Sequence, residues 1–156
     1  MNSFKISSFY IDNYLFGLNV GHIQEIIKSP KITPIPSSSD YICGLINLRG
    51  QILSCIDLRS MMALDNYSES KSMSVIVDSE DVLISVLVDD VSEILEINDY
   101  DYEQTPDNIS NNISRFLHGV YQLNSGILLE LDINKILKFI ENYEIKNSFN
   151  NNMRGA

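Results

Sequence analysis

The side chains that most often carry chemistry are few in this sequence. It has two histidines, His22 and His118, and two cysteines, Cys43 and Cys55. No Cys or Glu sits near either histidine at a metal-ligand spacing such as CxxC or HExxH. A Cys–His nucleophile pair would have to form through space, because no local pattern joins the two residue types. Asp89–Asp90 is a pair of carboxylates, but neighbours in a strand or turn point apart, so it reads as a turn between Val88 and Val91. The seven glycines are scattered singly, with no phosphate-cradling loop. This inventory favours a binding or scaffold module over an enzyme. It implies no metal and no cofactor.

One stretch concentrates the remaining interest. In "GLINLRGQILSCIDLR", residues 44–59, Arg49 and Gly50 interrupt two apolar runs, and a second Asp–Leu–Arg unit closes the segment. The runs 44–48 and 51–56 read as a hairpin across Arg49–Gly50, since glycine at the second loop position takes positive φ without a Cβ clash. Two uses of Arg49 are open at this level. It is an exposed tip residue, worth about 0–1 kcal/mol to stability as a surface charge, or it is held outward to meet a partner.

Strand-like runs supply the frame for this hairpin. Residues 4–11 and 16–20 flank an Asp12–Asn13 turn, and the second run alternates at period two. Val20, Ile23, Ile26 and Ile27 then fall at helical spacing, which predicts a short helix of about two turns capped by Asn19. Pro30, Pro34 and Pro36 force an extended crossing into the hairpin. Asp57 is placed to cap a short helix over 58–64. Residues 66–72 form a polar linker and the expected seam between two halves. Runs at 73–77, 82–88 and 91–97 are strands. Residues 98–114 read as a long loop. A last hairpin, 116–123 with 127–131, leads to a helix capped by Asp132 with an apolar stripe at Ile133, Ile136, Leu137 and Ile140. The tail from 146 to 156 has little to bury and is expected to fray. Many short strands with few helices predict an all-β architecture of two barrels of about five strands, a single domain over 1–145.

At 156 residues the chain can bury a core without staples. Lys and Arg total 11 against 21 acidic residues, a net charge of −10, which argues against nucleic acid or an anionic membrane as partner. From Asp89 to Asp107 there is no Lys or Arg at all, which reads as a solvated acidic surface. The start of the chain has no basic-then-apolar signal, and no run approaches the roughly 20 apolar residues that span a bilayer. The expectation is a cytoplasmic protein with two free thiols.

"NLRG" at 47–50 followed by "IDLR" at 56–59 resembles the signature of the CheW family of bacterial chemotaxis coupling proteins. Four further segments resemble the family in order: "FGLNVGHIQEI" at 16–26, "ITPIPSSSDYICG" at 32–44, "VLVDDVSEIL" at 86–95 and "FLHGVYQLNSGILLELDINKIL" at 116–137. The likeness runs from about Phe4 to Leu137. Ser85 and Asp90 depart from it, standing where the family has glycine.

The resemblance implies two five-stranded Src-homology-3-like barrels around a shared core, and no catalysis. It implies a cytoplasmic adaptor, recruited to membrane-associated receptor arrays, that couples the cytoplasmic tip of chemoreceptors to the regulatory domain of the histidine kinase CheA. It implies that Glu25 and Arg49 lie close together and both serve binding. Ile23 matches an apolar partner-contacting position, Gly44 and Gly50 match the glycines flanking the hairpin, and Val91 and Ile94 match apolar positions lining a groove for a receptor helix. For Ile23, Val91 and Ile94 plain core packing is the competing reading. Three other functions compete with the adaptor: the same module in a pilus-motility or other chemosensory-like pathway, a piece of a larger sensor such as a kinase's own regulatory domain, and a cysteine hydrolase using Cys43 or Cys55.

Overall fold

The computed structural model describes residues 3–36, 40–64, 73–79 and 82–141. Alternating apolar residues form the first hairpin, β1 (Ser3–Ile11) and β2 (Tyr14–Asn19), across a turn in which Asp12 adopts φ 54°. Aspartate tolerates this left-handed region better than most side chains. The middle of the chain provides β3 (Ile23–Lys28), β4 (Ile42–Leu48), β5 (Gln51–Asp57), α1 (Leu58–Met61), β6 (Met73–Ser79) and β7 (Val82–Val88). Then follow β8 (Asp90–Asn98), β9 (Tyr102–Glu103), α2 (Asn111–Ser114), β10 (Leu117–Leu123) and β11 (Gly126–Leu131). A helix over residues 133–141, α3, comes last.

Two sheets result. The five-stranded sheet has the order β3-β6-β7-β5-β4, and the six-stranded sheet the order β8-β1-β2-β11-β10-β9. Both curl until their edges approach. In the first, Thr33, just beyond β3, exchanges both backbone hydrogen bonds with Leu45 of β4. In the second, the edge strands β8 and β9 are joined directly by a 3-10 turn over Asp99–Asp101. Each sheet has its own small interior: Ile46, Leu53, Cys55 and Ile76 in the five-stranded one, Ile6, Ile97, Tyr121 and Leu128 in the six-stranded one. Between them lies a larger shared core. Phe9, Phe16 and Leu18 from one sheet meet Ile56, Val75, Val77, Val86 and Val88 from the other, with Ile133 and Ile136 of α3 added. Each fully buried Phe or Leu stabilises the fold by about 1.5–3 kcal/mol, so this shared core holds the two sheets together.

Two expectations are corrected. The helix expected over residues 20–27 is a 3-10 turn over Val20–His22 followed by strand β3. Asn19 does cap, accepting from the Gly21 amide, but the segment beyond it is rich in β-branched isoleucine and has β6 as a neighbour. A two-turn helix is marginal alone, and the ladder to β6 pairs one edge of β3 along its whole length. The loop expected over 98–114 contains the 3-10 turn, β9 and α2. The seam expected at 66–72 lies outside the described residues, as does the tail from 146. The strands on the two sides of that linker share the five-stranded sheet, while the six-stranded sheet takes both ends of the chain. A polar linker says that a segment stays wet; it does not say which sheet its flanking strands join.

Candidate functional site

The β4–β5 hairpin is closed by a two-residue turn in which Arg49 and Gly50 take φ 50° and φ 87°. Positive φ at both positions is a type I′ turn, the geometry that matches the twist of the strands. Asn47 fastens it by accepting the Gly50 amide at 2.8 Å. Gly50 suits its position, and arginine does not: a left-handed residue with a Cβ costs roughly 1–2 kcal/mol. Local strain of this kind gathers at positions retained for contact rather than for folding. Curling of the five-stranded sheet brings its edge strand β3 to the same place. Glu25 on β3 accepts from Arg49 Nη2 at 2.5 Å. The Arg49 side chain is 68% exposed and Glu25 26%. The carboxylate holds one end of the guanidinium fork, and the rest points into solvent with N–H donors to spare.

The other sequence-predicted residues divide. Gly50 is exposed beside Arg49. Gly44 is buried where the barrel closes, at φ 150°, and a Cβ there would lie 2.4 Å from the Thr33 carbonyl oxygen. Its work is to let two backbones approach, so it offers no surface of its own. Ile23 and Val91 are half-buried and pack against the shared core. Ile94 is 63% exposed. A bulge in the β1–β8 ladder separates Val91 from Ile94, with Ser8 Oγ donating to the Glu93 carbonyl within it.

The second arginine of the opening stretch has a different setting. Arg59 is 8% exposed. Its Nη1 donates to Asp12, in the β1–β2 turn, and its Nη2 to Asp89, at the β7–β8 junction. Asp89 also accepts the Asp12 amide at 2.8 Å. Arg59 therefore ties the end of the five-stranded sheet to the six-stranded one. Burial alone would lower its pKa, but the two carboxylates outweigh burial and raise it above the ordinary guanidinium value. Asp57 caps α1 as expected, accepting from the Arg59 amide. That cap starts the turn from which Arg59 reaches back.

The two cysteines pack together in the five-stranded sheet. Cys55 is fully buried, with its sulfur 3.6 Å from Ser85 Oγ. Cys43 donates to the Cys55 carbonyl, and the bond to Cys55 together with burial pushes the Cys43 thiol up, away from a thiolate.

Two residues near Arg49 escaped the sequence reading. Asn47 is the fastener of the turn, and an Asn just ahead of Arg–Gly is a legible Asx-type signal. Ile52, opposite Asn47 in the ladder, is 58% exposed. Nothing in its apolar run separates it from the buried Leu53. Ile52 also borders an apolar groove of about 450 Å³ between the β5–β7 face and α3, lined with it by Ile42, Val82, Ile84, Leu137 and Ile140. Neither Val91 nor Ile94 lines that groove.

Comparison with known proteins agrees with this architecture. Residues 5–141 match the family model of the CheW-like domain. The chain is 31% identical to the chemotaxis protein CheW of Thermotoga maritima, over 90% of this chain and 91% of that protein. It is 31% identical to the chemotaxis protein CheV3 of Helicobacter pylori, over 86% of this chain but 45% of that longer protein. Its fold resembles the crystal structure of the scaffolding protein TtCheW from Thermoanaerobacter tengcongensis with a TM-score of 0.76 and 28% identity, covering 84% of this chain and 90% of that one. The chain belongs to the CheW family, the non-catalytic adaptors of bacterial chemotaxis.

Proposed function

We propose that the chain bridges the cytoplasmic tip of chemoreceptors and the regulatory domain of the histidine kinase CheA, in the cytoplasm at membrane-associated receptor arrays, and that the Arg49 turn is a contact point of that bridge. The observation that carries this reading is the arginine itself. It occupies a backbone position that disfavours it, it contributes little to the fold as an exposed pair, and Glu25 holds it outward. The contact surface runs from Arg49 and Gly50 over exposed Ile52 toward the apolar groove, which suits an amphipathic helix presenting apolar side chains at helical spacing. Ile94 adds apolar surface on β8.

The test is co-sedimentation of the protein with a receptor signalling fragment and the kinase, together with receptor control of kinase activity. The wild type is expected to be required for both. Ile94→Asp is expected to leave stability within about 0.5 kcal/mol, as for an exposed substitution, and to weaken receptor co-sedimentation. Normal binding by a folded Ile94→Asp variant removes β8 from the surface. Failure of the wild type to bind either partner rejects the bridging role.

A further inference from the structure

Among the described residues Glu130 is the one acidic residue the fold buries, at 8% exposure. Its Oε1 has no hydrogen-bond partner, and Tyr121, itself buried, is its diagonal neighbour across the β10–β11 hairpin. Several groups face it. Tyr121 and His118 come from β10, Asp132 from the segment after β11, and His22 from the 3-10 turn before β3. Asp99 and Tyr102 stand behind Tyr121. The two histidines are the only ones in the chain and lie far apart in sequence, and the charge of either would lower the Glu130 pKa. His118 Nδ1 also lies 3.8 Å from Asp132 Oδ2.

The position of Glu130 gives the cluster a consequence. The joint between β2 and β11 is parallel, and its register pairs are Leu15–Leu128, Phe16–Leu129 and Gly17–Glu130. This joint connects the β8-β1-β2 half of the six-stranded sheet to the β11-β10-β9 half. An ionised carboxylate with one oxygen orphaned inside a sheet loses its hydration without full replacement, and a neutral acid loses much less.

We propose that Glu130 is the proton-binding centre of a pH-sensitive lock on the β2–β11 joint: the protonated acid lets the joint close, and ionisation loosens it. Burial raises the Glu130 pKa, Tyr121 and His118 oppose that rise, Asp132 adds to it, and the balance lies above the ordinary carboxyl value. The sign follows. A carboxyl whose folded pKa exceeds its unfolded one contributes stability that is fully present below the unfolded value and is lost as pH rises through the folded value. A positive charge on His22 or His118 favours the ionised carboxylate.

The experiment has two arms on the full chain. Carbon-13 NMR of the glutamate side-chain carboxyls across pH is expected to give Glu130 a midpoint above the ordinary glutamate range. A midpoint within or below that range overturns the proposal. Urea denaturation across the same pH series compares wild type with Glu130→Gln. The variant is expected to gain on wild type steadily as pH rises from about 4 to about 8, with slower amide exchange at Leu128 and Leu129 at the upper end. A stability difference that does not change with pH overturns it. If Glu130→Gln does not fold, the NMR midpoint and the pH dependence of wild-type amide exchange at β11 decide the matter: exchange that follows the intrinsic rate alone rejects the lock.

Discussion

Arg59 and Arg49 come from one stretch of chain, each ends a Leu–Arg pair, and each is held by carboxylate. Arg59 is buried, spans two sheets and is held by Asp12 and Asp89 together. Arg49 stands mostly in solvent on a turn that strains it, with Glu25 as its one ion-pair partner among the described residues. The difference lies in what each site does with the charge. At Arg59 the guanidinium is consumed by the fold: its loss leaves two facing carboxylates between sheets. At Arg49 most of the fork is left unused. One arginine is an internal clamp and the other is presented outward.

The comparison breaks most readily at Arg59. Arg59→Ala is expected to destabilise by about 3 kcal/mol in urea denaturation, the low end of the range for breaking a buried pair, because Asp12 and Asp89 retain some contact with water. A loss below about 1 kcal/mol would make it a surface pair like the other.

Arg49→Ala is the counterpart. Stability is expected to change by no more than about 0.5–1 kcal/mol, while affinity for the receptor and kinase falls by about 2 kcal/mol or more, as for truncation of an interfacial arginine. Titration calorimetry against each partner separates the two effects. Glu25→Ala is expected to lose less affinity, since it frees the arginine without removing it. A double-mutant cycle then measures the coupling, expected above about 0.5 kcal/mol for residues in contact. Additive losses would mean that Glu25 does not position Arg49.

Much of this was legible in sequence, for reasons that differ by element. The strands, the last hairpin and the Asp57 and Asp132 caps were readable because period-two alternation, turn residues and short cap side chains act locally. The β3 segment misled because Val20, Ile23, Ile26 and Ile27 satisfy a helical spacing by chance, and only the presence of β6 decides for a strand. The return of β8–β11 to the sheet begun by β1 and β2 is non-local and leaves no local mark. The Glu25–Arg49 pair came from family resemblance; the sequence separation carried no distance. The Arg59 clamp was missed because Asp12 and Asp89 looked like ordinary turn residues. Val91 packs against the shared core while Ile94 is exposed, and the bulge that separates them appears only in the ladder.

The most direct measurement replaces Arg49 with the residue its backbone prefers. Asn–Gly is the favoured pair for a type I′ turn. Arg49→Asn is therefore expected to raise unfolding free energy by about 0.5–1 kcal/mol through relief of the left-handed strain, and to abolish receptor and kinase binding in the same preparation. A variant that is less stable than wild type, yet still binds both partners normally, would contradict the account: Arg49 would then be a structural residue of the hairpin and not its contact.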